Sequence, residues 1–400
     1  MIAVMLFLLF LADSAGAQTQ YAWVQKAQLP APARHRASAC AVGGRGYLGL
    51  GHVNATGQIV YQDWWEYDPG TNTWTQKANY GGGQRFGAVA FAIGNYAYVG
   101  TGDDGNSLHA DFWRYDPVNN QWTPVTSFPG QATGTASCEA ANGKGYVGLA
   151  NATTNWWEYD PPANTWQARA QFPGQQRNFA ASFELGGKIY LGTGMTYNYT
   201  LMFGDFWCYD PAANSWSQKC SFPAGLRYCT SGFSFQGKGY IGLGYSTATT
   251  NNYDDFWAYD AAADSWSPAA QFAGSARRLC AGFTIGNRVY LGTGTSGTNY
   301  NDLWEFGTLS EIPGGDVSPV SPLIFPNPAS DFIRIDFRMS LHSGSIRVHN
   351  PEGKLVMQEQ NISGTAFTMR CGNLEPGVYF LSLVQDDNTI CTKKFIIAGR

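Results

Sequence analysis

Five arginines share one register. Arg34, Arg85, Arg177, Arg227 and Arg277 each stand thirteen residues ahead of the tyrosine that opens a Gly-rich run (Tyr47, Tyr98, Tyr190, Tyr240, Tyr290), and Thr133 holds the place ahead of Tyr146. Guanidinium forks grip carboxylate or sulfate bidentately, so such a set suits an anionic ligand. The same set would also arise if each arginine bonded carbonyls or an Asp of the adjacent repeat. Three histidines, His35, His52 and His109, fall in the same segments, with Asp103 and Asp104 close to His109. Imidazoles beside carboxylates can bind metals or move protons, yet these three are scattered over long loops. Neither a metal nor a cofactor is expected. The segments after the Gly-rich runs (51–62, 102–110, 150–154, 194–204, 244–254, 294–301) are rich in Tyr, Asn and Thr, with Tyr197, Tyr245 and Tyr300 among them. Aromatic faces with neutral hydrogen-bonding groups suit a glycan or a protein surface.

The elements that must position these residues come from a repeat. The unit Asp-x-Trp-x-Tyr-Asp recurs as DWWEYDP (63–69), DFWRYDP (111–117), NWWEYDP (155–161), DFWCYDP (205–211), DFWAYDA (255–261) and, degraded, DLWEFGT (302–308). A second Trp follows the first five, at Trp74, Trp122, Trp166, Trp216 and Trp266. Their period of 44–50 residues is that of propeller blades. Each period holds four short β segments separated by turn residues such as Gly43-Gly44 and Asp68-Pro69-Gly70. Six such units predict an all-β, six-bladed β-propeller. The sixth lacks its last Trp strand, but YAWVQKA (21–27) resembles NTWTQKA (72–78). The N-terminal strand is therefore expected to close the ring and remove open sheet edges. In a propeller, the loops entering the first strand and those joining strands two and three share one face. The arginines, histidines and polar aromatic loops should thus meet on one rim.

These repeats resemble the kelch family through the Tyr/Gly-rich second strand, the Asp-x-Trp-x-Tyr-Asp unit and the fourth-strand Trp. The chain departs from the usual Gly-Gly by having Gly-x-Gly (49–51, 100–102, 192–194). The resemblance implies a binding platform, or less often an enzyme; one kelch family acts on sialic acid. A non-catalytic glycan- or protein-binding propeller is the leading expectation, and a sugar epimerase or mutarotase is the alternative.

Composition agrees with a globular β protein. Of 400 residues, 48 are Gly, 14 are Trp and only 14% are charged, against about 25% in ordinary domains. That excludes disorder and coiled coil. The net charge of −4 has no basic excess, so nucleic acid is not an expected partner. Residues 2–12 form an apolar run followed by Ala15-Gly16-Ala17, which reads as a signal peptide (1–17) cleaved before Gln18. The run is too short to span a bilayer, and the mature chain offers no transmembrane segment. Among the eight Cys, Cys220–Cys229 and Cys371–Cys391 are candidate disulfides because each pair lies in one local unit. The propeller is expected over 18–308 and a Pro/Gly/Ser-rich linker over 309–322. Residues 323–400 alternate as strands, with Asn-Pro-Glu-Gly and Glu-Pro-Gly turns, and predict a small antiparallel β-sandwich. This tail resembles the C-terminal sorting domain of the type IX secretion system in FPNPASD (325–331), Gly353-Lys354, Leu374, Gly377-Val378-Tyr379 and Lys393-Lys394-Phe395-Ile396. That resemblance implies a Bacteroidetes-type source, contact with the secretion machinery, removal of the tail and attachment to the cell surface.

Overall fold

Period-two alternation in the first strand of each repeat places one side chain between blades and the next toward the axis. In blade one, Ser38, Cys40 and Val42 are buried, while Ala39 and Ala41 are only partly so. The second strands are buried almost throughout, as Gly46–Gly49 show, because they are covered on both faces. Neighbouring blades interlock through size. A side chain at Gly46 would collide with Phe283, one at Gly145 with Phe91, and one at Gly239 with Phe183.

A computed structural model describes residues 21–54, 58–149, 151–308, 323–325, 329, 331–351, 353–385 and 388–397. The chain splits into two compact units between Thr308 and Leu309. The first holds six four-stranded antiparallel sheets, and the described residues contain no helix. Blade one is Ser38–Val42, Arg45–Gly49, Trp64–Asp68 and Thr73–Gln76. Blade six is Ala281–Ile285, Arg288–Gly292 and Leu303–Thr308, with Tyr21–Lys26 as its outer strand. The register Trp23↔Phe306 makes the ring closure explicit. Trp23 is 6% exposed among Phe233, Phe256, Phe272 and Phe306.

The outer-strand tryptophans tie each blade to the one before. Trp74, Trp122, Trp166, Trp216 and Trp266 donate through Nε1 to Ala27, Ala78, Thr126, Ala170 and Cys220 carbonyls at 2.8–3.0 Å. The turn residues Asn72, Asn120, Asn164, Asn214 and Asp264 add a second tie. Each accepts from its own blade's Tyr hydroxyl and from the preceding blade's backbone N–H. The expected Cys220–Cys229 bridge is absent: Cys220 is an exposed free thiol on a blade junction, whereas Cys229 is buried near the axis.

The second unit is a five-stranded antiparallel sheet. Two long strands, Phe332–His349 and Leu355–Arg370, pair along their length with register shifts between Asp336 and Ile346. The first half of Phe332–His349 also pairs with Leu323–Phe325, and its second half with Gly377–Gln385. Both halves contribute to one core, Ile333, Ile335 and Phe337 from the first and Ile346 and Val348 from the second. The bulged hairpin thus passes from one layer to the other. The expected leader (1–17) and linker (309–322), and the side chain of Cys391, lie outside the described residues.

Candidate functional site

All five registered arginines are buried, with relative exposures of 0–4%. Each meets the Asp that opens its own blade's third strand, rather than an Asp of the adjacent blade. Arg177 grips Asp205 bidentately at 2.6 and 2.8 Å, Arg277 grips Asp302 at 2.5 and 2.8 Å, and Arg227 grips Asp255 at 2.6 and 3.3 Å. Arg34 reaches Asp63 at 2.5 Å and Arg85 reaches Asp111 at 3.2 Å. The same carboxylates accept from Trp65, Trp113, Trp207, Trp257 and Trp304. The repeated Asp therefore anchors a guanidinium and an indole. Tyr300 packs its ring 3.7 Å from the Arg277 guanidinium, so it serves this latch. Blade three lost both partners together: Thr133 replaces the arginine, Asn155 replaces the aspartate, and the Trp157 Nε1–H is left buried without an acceptor.

The mouth on the axis is lined two residues after each latch position, by Arg36, Gly87, Thr135, Phe179, Cys229 and Leu279. The residues between, His35, Phe86, Gly134, Asn178, Tyr228 and Arg278, differ in every blade. Five of them bridge, or pair with, a residue seventeen positions on: His52, Asp103, Met195, Tyr245 and Thr295. The next residue in each blade adopts a left-handed conformation: Arg36, Gly87, Thr135, Phe179, Cys229 and Leu279 have φ of 54, 62, 65, 58, 55 and 60°. Their peptides form a closed circle around the axis. Arg36 donates to Leu279, Gly87 to Arg36, Thr135 to Gly87, Phe179 to Thr135, Cys229 to Phe179 and Leu279 to Cys229, at 2.7–3.5 Å. The circle is the floor of the mouth. It needs the tight Gly-x-Gly corner beside it, because a side chain at Gly51 would meet the His35 carbonyl at 2.8 Å.

The mouth is asymmetric. Arg36, on blade one, lies over Phe86 at 5.6 Å and reaches Phe179 of the opposite blade four at 5.3 Å. Its Nε–H is buried without a partner. Arg278 lies over Tyr245 at 4.6 Å and donates to the Asn252 amide at 2.8 Å. Among the described ion pairs neither cation meets a carboxylate. Across blades four and five runs an aromatic wall, Phe179 to Tyr228 at 6.0 Å and Tyr228 to Tyr245 at 5.9 Å; the exposed Tyr199 ring lies beyond it, 6.4 Å from Phe179.

His35 and His52 come together at 4.2 Å, and His52 stacks on Phe86 at 3.9 Å. Burial, reinforced by the charges of Arg36 and Arg278, lowers His35 to about 4; burial, with His35 and Arg36, lowers His52 to about 3. Both imidazoles are therefore neutral at pH 7. His109 stands apart, 2.9 Å from Asp104, whose carboxyl is held at about 2 by that contact and two backbone N–H groups. Tyr197 is exposed on the blade-four loop. Of the sequence candidates, the structure brings His35, His52 and Tyr245 beside Arg36 and Arg278, and it turns the five arginines and Tyr300 inward. Arg36, Arg278, Phe86, Phe179 and Tyr228 were missed. Their signal was non-repetition at the two positions directly after each repeated arginine.

Below the floor lies a cavity of about 550 Å³ walled by small residues such as Ala39, Ala90, Gly232 and Gly282. Glu139 occupies the place that Phe91, Phe183, Phe233 and Phe283 fill in other blades. Burial raises its carboxyl to about 7, against a 2.8 Å hydrogen bond from Ser182 and with help from the charge of Glu184. Among the described residues, no group of three or more His, Cys, Asp or Glu side chains could hold a metal ion.

Fold and repeat together define a kelch-type β-propeller followed by a sorting domain. The Kelch motif family matches residues 84–129, and the secretion system C-terminal sorting domain family matches residues 323–398. A solved structure titled "Structure of YjhT" superposes with a TM-score of 0.59 at 16% identity, covering 70% of this chain and 96% of that one. No curated protein matches the chain. The chain is thus an exported kelch propeller whose type IX sorting tail directs it outside the cell or to the outer-membrane surface. Among the described residues no helix is long and apolar enough to cross a membrane.

Proposed function

We propose that this protein is a non-catalytic binding module whose axial mouth takes an acidic saccharide, and that residues 1–17 are the leader for its export. The carrying observation is the pair Arg36 and Arg278, half-buried cations without a carboxylate partner, set against an aromatic wall. A sugar carboxylate satisfies the guanidinium donors, and the apolar face of the ring lies on Phe179, Tyr228 or Tyr245. The five latch arginines take no part in binding, since each is 0–4% exposed and already pairs with the Asp of its own blade.

The test is isothermal titration with sialic and uronic acids against neutral sugars. Arg36→Ala and Arg278→Ala should each weaken acidic-sugar binding at least tenfold; equal binding of neutral and acidic sugars, or no binding by the wild type, overturns the reading. A second reading, a sugar epimerase or mutarotase, draws on the neutral His35–His52 pair beside Arg36. NMR anomerisation of the same acids separates the two: exchange faster than in buffer, lost in His35→Ala, supports the enzyme.

A further inference from the structure

Blade four carries a loop unlike the others. Residues 194–204 read Gly-Met-Thr-Tyr-Asn-Tyr-Thr-Leu-Met-Phe-Gly and place Tyr197, Tyr199 and Leu201 in solvent at 51, 59 and 53% exposure. Side chains this apolar normally collapse onto the body unless the backbone holds them out. Here it does. Met195 bridges both Asn178 at the mouth and Met202 on the returning strand. The Thr196 N–H donates to Leu201 O and the Tyr199 N–H to Thr196 O, both at 2.9 Å. The buried Thr196 hydroxyl accepts the N–H groups of Thr200 at 3.2 Å and Leu201 at 3.0 Å. The Thr200 hydroxyl donates to Asn198 Oδ1 at 2.7 Å. Tyr199 sits at φ 59°, a left-handed turn position that projects its ring from the tip. The knuckle's own polar groups satisfy one another, so its rings are presented rigidly, with little ordering entropy left for binding to overcome.

Its position gives the rings a use. The Tyr199 ring extends the aromatic wall beyond Phe179, which Arg36 also approaches at 5.3 Å. Contacts therefore connect the mouth cations, through Phe179, to Tyr199 on the loop that also carries the exposed Tyr197 and Leu201. The Phe179 and Tyr199 ring centres lie 6.4 Å apart, close enough for neighbouring units of one sugar chain to reach both rings. Neutral hydrogen-bonding groups, Asn198 and Thr200, flank the rings, and no Lys, Arg, Asp or Glu lies between 194 and 204.

We propose that the blade-four knuckle is a stacking platform for further units of an acidic oligosaccharide whose charged unit sits in the mouth. The proposal rests on the acidic-saccharide reading of the mouth and adds that the ligand is a chain. Tyr199 stacks on the second unit; Tyr197 and Leu201 contact the third.

The test uses the whole propeller with galacturonic acid and its linear dimer, trimer and tetramer. In the wild type, affinity should rise about tenfold from monomer to trimer, the contribution of one to two stacked rings, and level off at the tetramer. Tyr199→Ala should abolish the rise while leaving the monomer affinity and the melting temperature unchanged, because its ring is exposed. Tyr199→Phe should restore the rise. Length-independent binding in the wild type, or equal losses for monomer and trimer in Tyr199→Ala, overturns the platform and leaves the mouth reading intact. Loss of monomer binding in Arg36→Ala with the length effect retained would separate the two the other way. If neither monomer nor oligomer binds, the mouth reading falls and the platform with it.

Discussion

Asp205→Asn should be among the most damaging single substitutions in the propeller. The Arg177 guanidinium is 1% exposed, enclosed by the Phe172 ring at 4.9 Å and the Phe203 ring at 4.2 Å. Its compensation is the Asp205 carboxylate, at 2.6 and 2.8 Å, and the Thr193 carbonyl at 3.1 Å. Burial alone would raise Asp205, but hydrogen bonds and charge from Arg177 outweigh it and leave the carboxyl below its ordinary value. Removing the negative charge strands a cation in an aromatic cage, a defect of about 3–5 kcal/mol. At roughly 2–3 °C per kcal/mol for a domain of this size, the melting temperature should fall by about 6–15 °C. Arg177→Met should cost less, because Asp205 keeps solvent and the Trp207 indole at 2.8 Å. The double variant Arg177→Met/Asp205→Asn should then be more stable than Asp205→Asn alone, giving a coupling of about 2 kcal/mol or more. Blade three is the natural double variant, with Thr133 and Asn155 in these places. Tryptophan-fluorescence melts of the four forms are the assay. Strictly additive losses, or an Asp205→Asn melt within about 2 °C of the parent, would refute the latch.

Trp23→Ala should open the ring at its closure and lower stability by about 3–5 kcal/mol, the cost of emptying a buried indole site; an unchanged melt refutes closure by the N-terminal strand. Glu139→Gln should stabilise the propeller at alkaline pH. The folded carboxyl titrates near 7 and the unfolded one near 4.5, so the folded state holds the extra proton in that window and the parent loses stability as pH rises through it; the variant's advantage should therefore grow from pH 4.5 to pH 8, and an advantage independent of pH refutes it. His35 acts in the opposite sense, remaining neutral to about 4 while the unfolded imidazole charges below 6.5, so stability should fall as pH drops through that range and fall less in His35→Phe, as urea midpoints at pH 7 and 4.5 would show. Deleting 323–400 should leave the propeller inside the envelope of a host with the type IX system; equal surface delivery of both forms would exclude the sorting role.

The fold was legible because a propeller writes each structural demand six times. The outer-strand Trp, the third-strand Tyr and the turn Asn or Asp are one weld repeated at five of the six blade junctions, and their spacing alone located all four strands. The missing last strand of blade six was readable because Tyr21–Lys26 carries the same pattern. The site was less legible. Registered arginines are the most conspicuous cations in the chain, yet registration reflected a shared fold requirement, an Asp-anchored guanidinium in the same place in five blades. Two facts hid the cations proposed to hold the ligand. Arg36 and Arg278 sit beside repeated residues without repeating, and their importance depends on the absence of an acid that only three-dimensional packing decides. Likewise, nothing in the spacing of His35 and His52 announces that the bridge between them sets the two rings edge to face at 4.2 Å.

The division between fold and ligand runs between adjacent residues. At the latch position the six blades carry Arg, Arg, Thr, Arg, Arg and Arg; one residue on, they carry His35, Phe86, Gly134, Asn178, Tyr228 and Arg278, no two alike. Both positions lie on the same short segment and move together if that segment moves. The latch and the closed circle of six peptide hydrogen bonds fix the backbone on either side of this variable position. Its side chain can therefore change without disturbing the blade, and the mouth can be any combination of six groups on a rigid floor. Blade three shows the limit of that arrangement. It contributes Gly134, no side chain at all, and it is also the blade that lacks the latch.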